Sequence, residues 1–70
     1  MKQKIFKIQR DLLRGDTVLI YDKHEEYCGQ IPLADDLRRM MGHDLKIYVR
    51  GHINAEGLLH ITNRVPAQSW

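Results

Sequence analysis

The stretch LKIYVRGHINAEGLLHITNRV, residues 45–65, decides the fold of this chain. From Leu45 to Ile53, apolar residues alternate with charged, aromatic or histidine side chains, as a strand with one buried face requires. A second alternating run extends from Leu58 to Val65, and a turn-forming segment that ends in Gly57 separates the two runs. The pattern therefore predicts a C-terminal β-hairpin over residues 45–65.

The apolar residues also predict how the two hairpin strands pair. If Val65 shares the core face with Leu59 and Ile61, matching the apolar faces sets Gly51 opposite Leu59. This register requires an odd loop or a bulge, and Gly57 is the predicted bulge residue because glycine tolerates positive φ.

Shorter elements are predicted upstream of the hairpin. Thr17 to Lys23 is expected to form a strand, and Tyr27 to Ile31 a short return strand after a polar turn. Residues 32–41 are expected to form one short helix, because Pro32 suits a first helical turn and Gly42 suits a helix end.

The N-terminal segment supports two interpretations. Residues 3–9 alternate like a strand, whereas Ile5, Ile8 and Leu12 have the spacing of an amphipathic helix that stops at Gly15. We expect a strand that turns into a short helical segment before Gly15. The whole chain is then a β-rich α+β domain, an OB-like or SH3-like partly open barrel, since its strand–helix order resembles that of an OB-type barrel. A helical N-terminus would instead give repeated α-β-β units.

Length and composition exclude several classes of protein. The 70 residues predict a single domain, 1–70, and 43% hydrophobic against 29% charged residues indicate a folded chain. Cys28 is the one cysteine, so an intramolecular disulfide is excluded. Neither a signal peptide nor an apolar run of about 20 residues is visible, so we expect a cytoplasmic domain without a membrane span.

The sequence predicts a binding module and not an enzyme. A chain of this size encloses little cleft, and it shows neither a glycine-rich phosphate loop nor a nucleophile motif. Four histidines and Cys28 lack the close pairs of a zinc site, and His52 and His60 are predicted to lie diagonally on one face. We therefore expect no catalytic residue, no metal and no cofactor.

Charge separates along the chain and suggests the partner. Residues 1–14 hold five basic side chains and one acidic, whereas residues 15–44 hold seven acidic and three basic. Basic residues and an aromatic ring on the polar face of the hairpin are suited to single-stranded nucleic acid, because cations neutralise phosphate and rings stack on bases. The predicted nucleic-acid-binding residues are Lys46, Tyr48, Arg50, His52, His60 and Arg64, assisted by Lys2, Lys4 and Lys7.

Two other functions remain open at this point. A protein-interaction module, such as a small inhibitor or accessory protein of a mobile element, would act through an exposed strand edge and the acidic middle segment. Its predicted partner-binding residues are Glu25, Glu26 and Trp70. A homo-oligomeric structural subunit, for example a dimer formed through such an edge, is the third candidate.

Overall fold

Strand β1 (Lys4–Arg10) is the centre of a five-stranded antiparallel sheet in the computed structural model, which describes residues 2–70. The other elements are β2 (Thr17–Tyr21), β3 (Tyr27–Pro32), helix α1 (Asp35–Met41), β4 (Lys46–Ile53), β5 (Leu59–Val65) and a 3-10 turn, Ala67–Ser69. The strands lie in the order β3-β2-β1-β4-β5. The domain is thus a small β-rich α+β fold whose sheet is not closed, with β3 and β5 as its edges.

One face of the sheet packs against α1 and forms the core. Alternate residues of the inner strands point to this side, as the period of two in the sequence predicts. Each fully buried aliphatic side chain stabilises the fold by about 1.5–3 kcal/mol relative to an exposed one. The core cluster consists of Phe6, Ile8, Val18, Ile20, Leu33, Leu37, Met41, Ile47, Val49 and Leu59.

The N-terminal segment is a strand, so the interpretation as repeated α-β-β units is wrong. β1 pairs with both β2 and β4, and it turns Phe6 and Ile8 into the core. The helical spacing of Ile5, Ile8 and Leu12 does not correspond to a buried face, because Leu12 is 77% exposed. Residues 11–16 form turns where a short helical segment was expected.

Helix α1 begins three residues later than predicted. Pro32 belongs to β3, where it lies opposite Thr17, and the Leu33 amide donates a hydrogen bond to the Asp16 carbonyl at 2.8 Å. This pairing keeps the chain extended up to Ala34, which is the N-cap. The helix ends at Gly42 as predicted, with the positive φ of 59° that glycine accepts readily.

The predicted hairpin is confirmed, but its register and its bulge are not. Gly51 lies opposite Ile61, two residues away from the predicted Leu59. The bulge is at Thr62, the additional residue between Ile61 and Asn63, and not at Gly57. The reason is the loop, because the Asn54 side chain accepts hydrogen bonds from the amides of residues 56 and 58 and closes it tightly.

The bulge exchanges the faces of the last residues of β5. Val65 lies opposite Tyr48, and Arg64 lies opposite the core residue Val49. Val65 is buried but is not part of the core cluster, so its predicted place beside Leu59 is wrong. Among residues 2–70, no helix has the length and apolar character to span a membrane.

Candidate nucleic-acid interface

A row of side chains crosses all five strands on the sheet face that is turned away from α1. Tyr27 of β3 lies opposite Tyr21, Tyr21 opposite Lys7, Lys7 opposite Tyr48, and Tyr48 opposite Val65. With strands about 4.8 Å apart, this row is about 19 Å long. We call Tyr27, Tyr21, Lys7 and Tyr48 the tyrosine row, and the sheet face that carries it the tyrosine face.

The aromatic rings of this face contact one another in two pairs. The ring centroids of Tyr21 and Tyr27 are 6.0 Å apart in an edge-to-face arrangement. Those of Tyr48 and Trp70 are 5.0 Å apart, so the C-terminal tryptophan folds back onto its own domain. Such contacts between rings stabilise the positions of the aromatic side chains. Tyr27 has the most open position of the row and is 58% exposed.

Lys7 occupies the middle of the row and is covered by a loop. Its ammonium group is 5.0 Å from the centre of the Tyr21 ring and forms an ion pair with Glu25. Only 12% of the Lys7 side chain is exposed. The central cation is therefore neutralised by the turn between β2 and β3, and a phosphate that reached it would have to displace Glu25.

The turn that carries Glu25 is organised by Asp22. One carboxylate oxygen of Asp22 accepts hydrogen bonds from the amides of His24 and Glu26, at 2.8 and 3.0 Å. The hydrogen bond from the Glu26 amide, more than that from His24, holds the pKa of the Asp22 carboxyl below its ordinary value. Within this turn Glu25 has a φ of 62°, an uncommon value for a residue with a side chain.

A basic cleft of about 380 Å³ adjoins the tyrosine face. It lies between Trp70 and the turn after β2, with Ile5 as part of its wall. This volume lies in the range of small-molecule sites. The charged residues and the histidine around it are Lys2, Lys4, Asp22, Lys23 and His24. The positions of Lys2 and Lys4 are therefore compatible with their expected contribution, whereas Lys7 is paired with Glu25.

Five of the six predicted hairpin residues lie on or beside the tyrosine face. Lys46 and Arg50 are exposed, and neither forms an ion pair with any of residues 2–70. His52 and His60 lie directly opposite each other, not diagonally, with parallel rings whose centroids are 5.3 Å apart. The fifth of these residues, Tyr48, belongs to the tyrosine row. Gln3 and Asn54 hydrogen-bond to the two histidine rings.

Arg64 lies on the opposite face, because the bulge at Thr62 turns it towards the helix. Its guanidinium group donates to the Met40 carbonyl at 2.8 Å and to the Asp44 carboxylate at 2.7 Å. Arg10 donates to the nearby Gly42 carbonyl at 2.7 Å. Both cations satisfy carbonyl groups at the C-terminus of α1, where the helix dipole favours positive charge. Arg64 therefore has a structural role in the hairpin–helix contact.

The residues predicted for a protein partner belong to the same surface as the tyrosine row. Glu25 pairs with Lys7 and Trp70 with Tyr48, while Glu26 is exposed in the turn. Cys28 is half-buried and its thiol donates to the Glu26 carbonyl at 3.4 Å. Burial raises the pKa of this thiol, which keeps it protonated.

Sequence analysis missed Tyr21 and Tyr27. The signal was present, because alternation in the second strand puts Tyr21 on the side away from Val18 and Ile20. What the sequence does not supply is the strand order, which places β2 and β3 on the same face as the hairpin tyrosine. Within residues 2–70, the structure shows no group of three His, Cys, Asp or Glu side chains that could hold a metal.

A scan of the chain against family models finds no match, and comparisons with curated proteins and with solved structures find none either.

Proposed function

We propose that this domain binds single-stranded nucleic acid across the tyrosine face. The observation that supports the proposal is the tyrosine row, in which three aromatic rings and a lysine lie in register across neighbouring strands. Each ring that stacks on an unpaired base contributes about 1–3 kcal/mol, and every base offers a flat surface for such stacking. Trp70 extends the aromatic surface beyond Tyr48.

The charges around the row favour a polyanion. Lys46 and Arg50 are exposed on the same face as the rings. Lys2, Lys4 and Lys23 border the cleft beside Trp70. Neutralisation of phosphates by such side chains releases counterions, so binding is expected to weaken as salt increases.

A single strand suits this surface better than a duplex. Duplex readers place a helix or a protruding ribbon in a groove, and the helix here begins with two acidic residues, Asp35 and Asp36, that repel phosphate. The bases of a single strand are unstacked and can lie on the rings. The proposal includes a cytoplasmic location and no catalytic step.

We further infer that the sheet is an opened barrel of the OB type. Its strand order fits that fold, and both edge strands border one groove that also contacts α1. OB-type domains bind oligonucleotides on the face formed by strands two and three. In this chain those strands carry Tyr21 and Tyr27.

The proposal is tested by titrating a labelled 12-nucleotide oligothymidylate across a salt series. If about three phosphates are neutralised, the slope of log K against log salt is about −2. The variant Arg50→Glu should weaken binding by about tenfold or more at low salt. The matched control is Arg39→Glu, which makes the same charge change on the exposed side of α1 and should leave at least half of the affinity. Equal effects of the two variants, or no binding of the unmodified domain, would contradict the proposal.

A further inference from the structure

A groove separates the two edge strands of the sheet. It has a volume of about 430 Å³ and lies between β3, β5 and the start of α1. Its lining residues are Ile31, Pro32, Ala34, Asp36, Leu37 and the segment 58–61. It shares His60 with the tyrosine face, but no member of the tyrosine row lines it.

Both edge strands have backbone groups beside this groove that do not pair with the neighbouring strand. The bond from the Leu33 amide to the Asp16 carbonyl fixes which residues of β3 bond to β2. Because hydrogen-bonded pairs alternate in an antiparallel ladder, the N–H and C=O of Gln30 point away from β2. Just before β5, the Asn54 amide donates a hydrogen bond to the Leu58 carbonyl. By the same alternation, the N–H and C=O groups of Leu59 and Ile61 point away from β4.

The direction of the edge strands determines what could pair with both. β3 and β5 run the same way, because each is antiparallel to a strand that is itself antiparallel to β1. One extended segment that runs in the opposite direction would therefore form antiparallel ladders with β3 and β5 together. Such a segment needs two free edges. An isolated peptide has both, whereas an edge strand of a second copy has only one.

The side chains of the groove indicate the composition of this peptide. Its walls are largely aliphatic, and Leu58 is 49% exposed there. Asp36 gives the groove an acidic end, with Asp35 next to it on the helix. A strand with alternating aliphatic side chains and one lysine or arginine is complementary to this lining in both shape and charge.

We propose that the groove between β3 and β5 binds an extended, basic-aliphatic peptide strand, which closes the sheet by pairing with both edges. This site goes beyond the proposed function, since it shares no residue with the tyrosine row. The two proposals can fail independently. Arg50→Glu, which tests nucleic-acid binding, should leave peptide binding unchanged.

The test uses a panel of seven-residue fluorescent peptides that alternate valine with threonine and carry one lysine at each position in turn. We expect members of the panel to bind and to slow hydrogen exchange at the amides of Gln30, Leu59 and Ile61. N-methylation of the peptide amides that face either edge should weaken binding by about tenfold, because one ladder is lost in each case. Absence of binding at 1 mM peptide, a concentration on the order of the weakest specific affinities, would overturn the proposal. So would sensitivity to methylation on only one side, since this indicates addition to a single edge.

Charge reversal on the helix provides the matched control. Asp36→Lys should reduce the affinity of lysine-containing peptides by about fivefold. Asp35→Lys makes the same charge change in the same helical turn. It should change the affinity of these peptides by less than about twofold, because Asp35 does not line the groove. Equal losses in the two variants would show that Asp36 does not pair with the peptide lysine, and would overturn the basic character assigned to the peptide.

Discussion

The two faces of the sheet are formed by alternate residues of the same strands, yet one face is buried under α1 and the other is partly exposed to solvent. The buried residues of the face under α1 are all hydrophobic, and Ile8 and Val49 are 0% exposed. The tyrosine face is turned away from α1, and its rings contact one another, Lys7 and Trp70. One face of this small domain therefore forms its core, while the other keeps its aromatic rings partly exposed to solvent.

The largest expected effect separates the two faces on a single strand. Ile8→Ala removes a fully buried side chain and should lower the free energy of unfolding by about 2–5 kcal/mol. Ile5→Ala, on the opposite face and only half-buried, should cost less than half as much. Urea unfolding of both variants measures the difference. Equal losses would mean that both faces support the fold.

A second stability test concerns the close approach of β4 and β5 at Gly51. A Cβ atom on Gly51 would lie 2.1 Å from the His60 carbonyl oxygen, so Gly51→Ala must push the two strands apart. We expect a loss of about 2 kcal/mol in the free energy of unfolding. The control is Gly15→Ala, where a Cβ atom meets nothing within 4 Å and φ lies outside the positive region. That variant should be as stable as the parent chain or slightly more stable; a loss of stability there would weaken the explanation.

Local sequence patterns predicted the secondary-structure elements. They did not predict the bulge and the register of β5, which depend on contacts between distant parts of the chain. Alternation identified Ile47 and Val49 as core residues and residues 45–65 as a hairpin. It carried no sign of the extra residue at Thr62, because a bulge depends on how the loop closes and on the neighbouring strand. That single residue moved Arg64 from the predicted interface to the C-terminus of the helix.

The candidate site depended on strand order in the same way. Tyr48 is far from Tyr21 and Tyr27 in the chain, and it joins the same row only because β1 lies between β2 and β4. No spacing in the sequence encodes that neighbourhood. Lys46 and Arg50 could be predicted from the sequence, because both belong to one strand in which apolar and polar residues alternate.

The tyrosine row itself can be tested without disturbing the core. Tyr27→Ala removes an exposed ring and should weaken oligothymidylate binding by about 1–3 kcal/mol, which is about fivefold to 150-fold in Kd. Tyr27→Phe retains the ring and should bind nearly as well as the parent domain. Titration with the labelled oligonucleotide compares the three proteins. If Tyr27→Phe loses as much affinity as Tyr27→Ala, stacking is not the basis of binding.

The smallest expected effect is a gain of affinity. Glu25→Gln removes the charge that neutralises Lys7, so the central lysine becomes available to phosphate and affinity should rise about threefold. Glu26→Gln makes the same charge change in the same turn but leaves the Lys7 ion pair intact. Its gain in the oligothymidylate titration should be smaller. Identical gains would show that only net charge matters.

The most direct test of binding across the tyrosine face uses Trp70, the single tryptophan of the chain, whose ring is 5.0 Å from that of Tyr48. Its emission is followed while unlabelled oligothymidylate is added, and a labelled oligonucleotide reports binding in parallel. We predict a saturable change in Trp70 emission with the same midpoint as binding, shifted to higher oligonucleotide concentration as salt increases. Binding that leaves Trp70 emission unchanged, or no binding at low salt, would contradict the account.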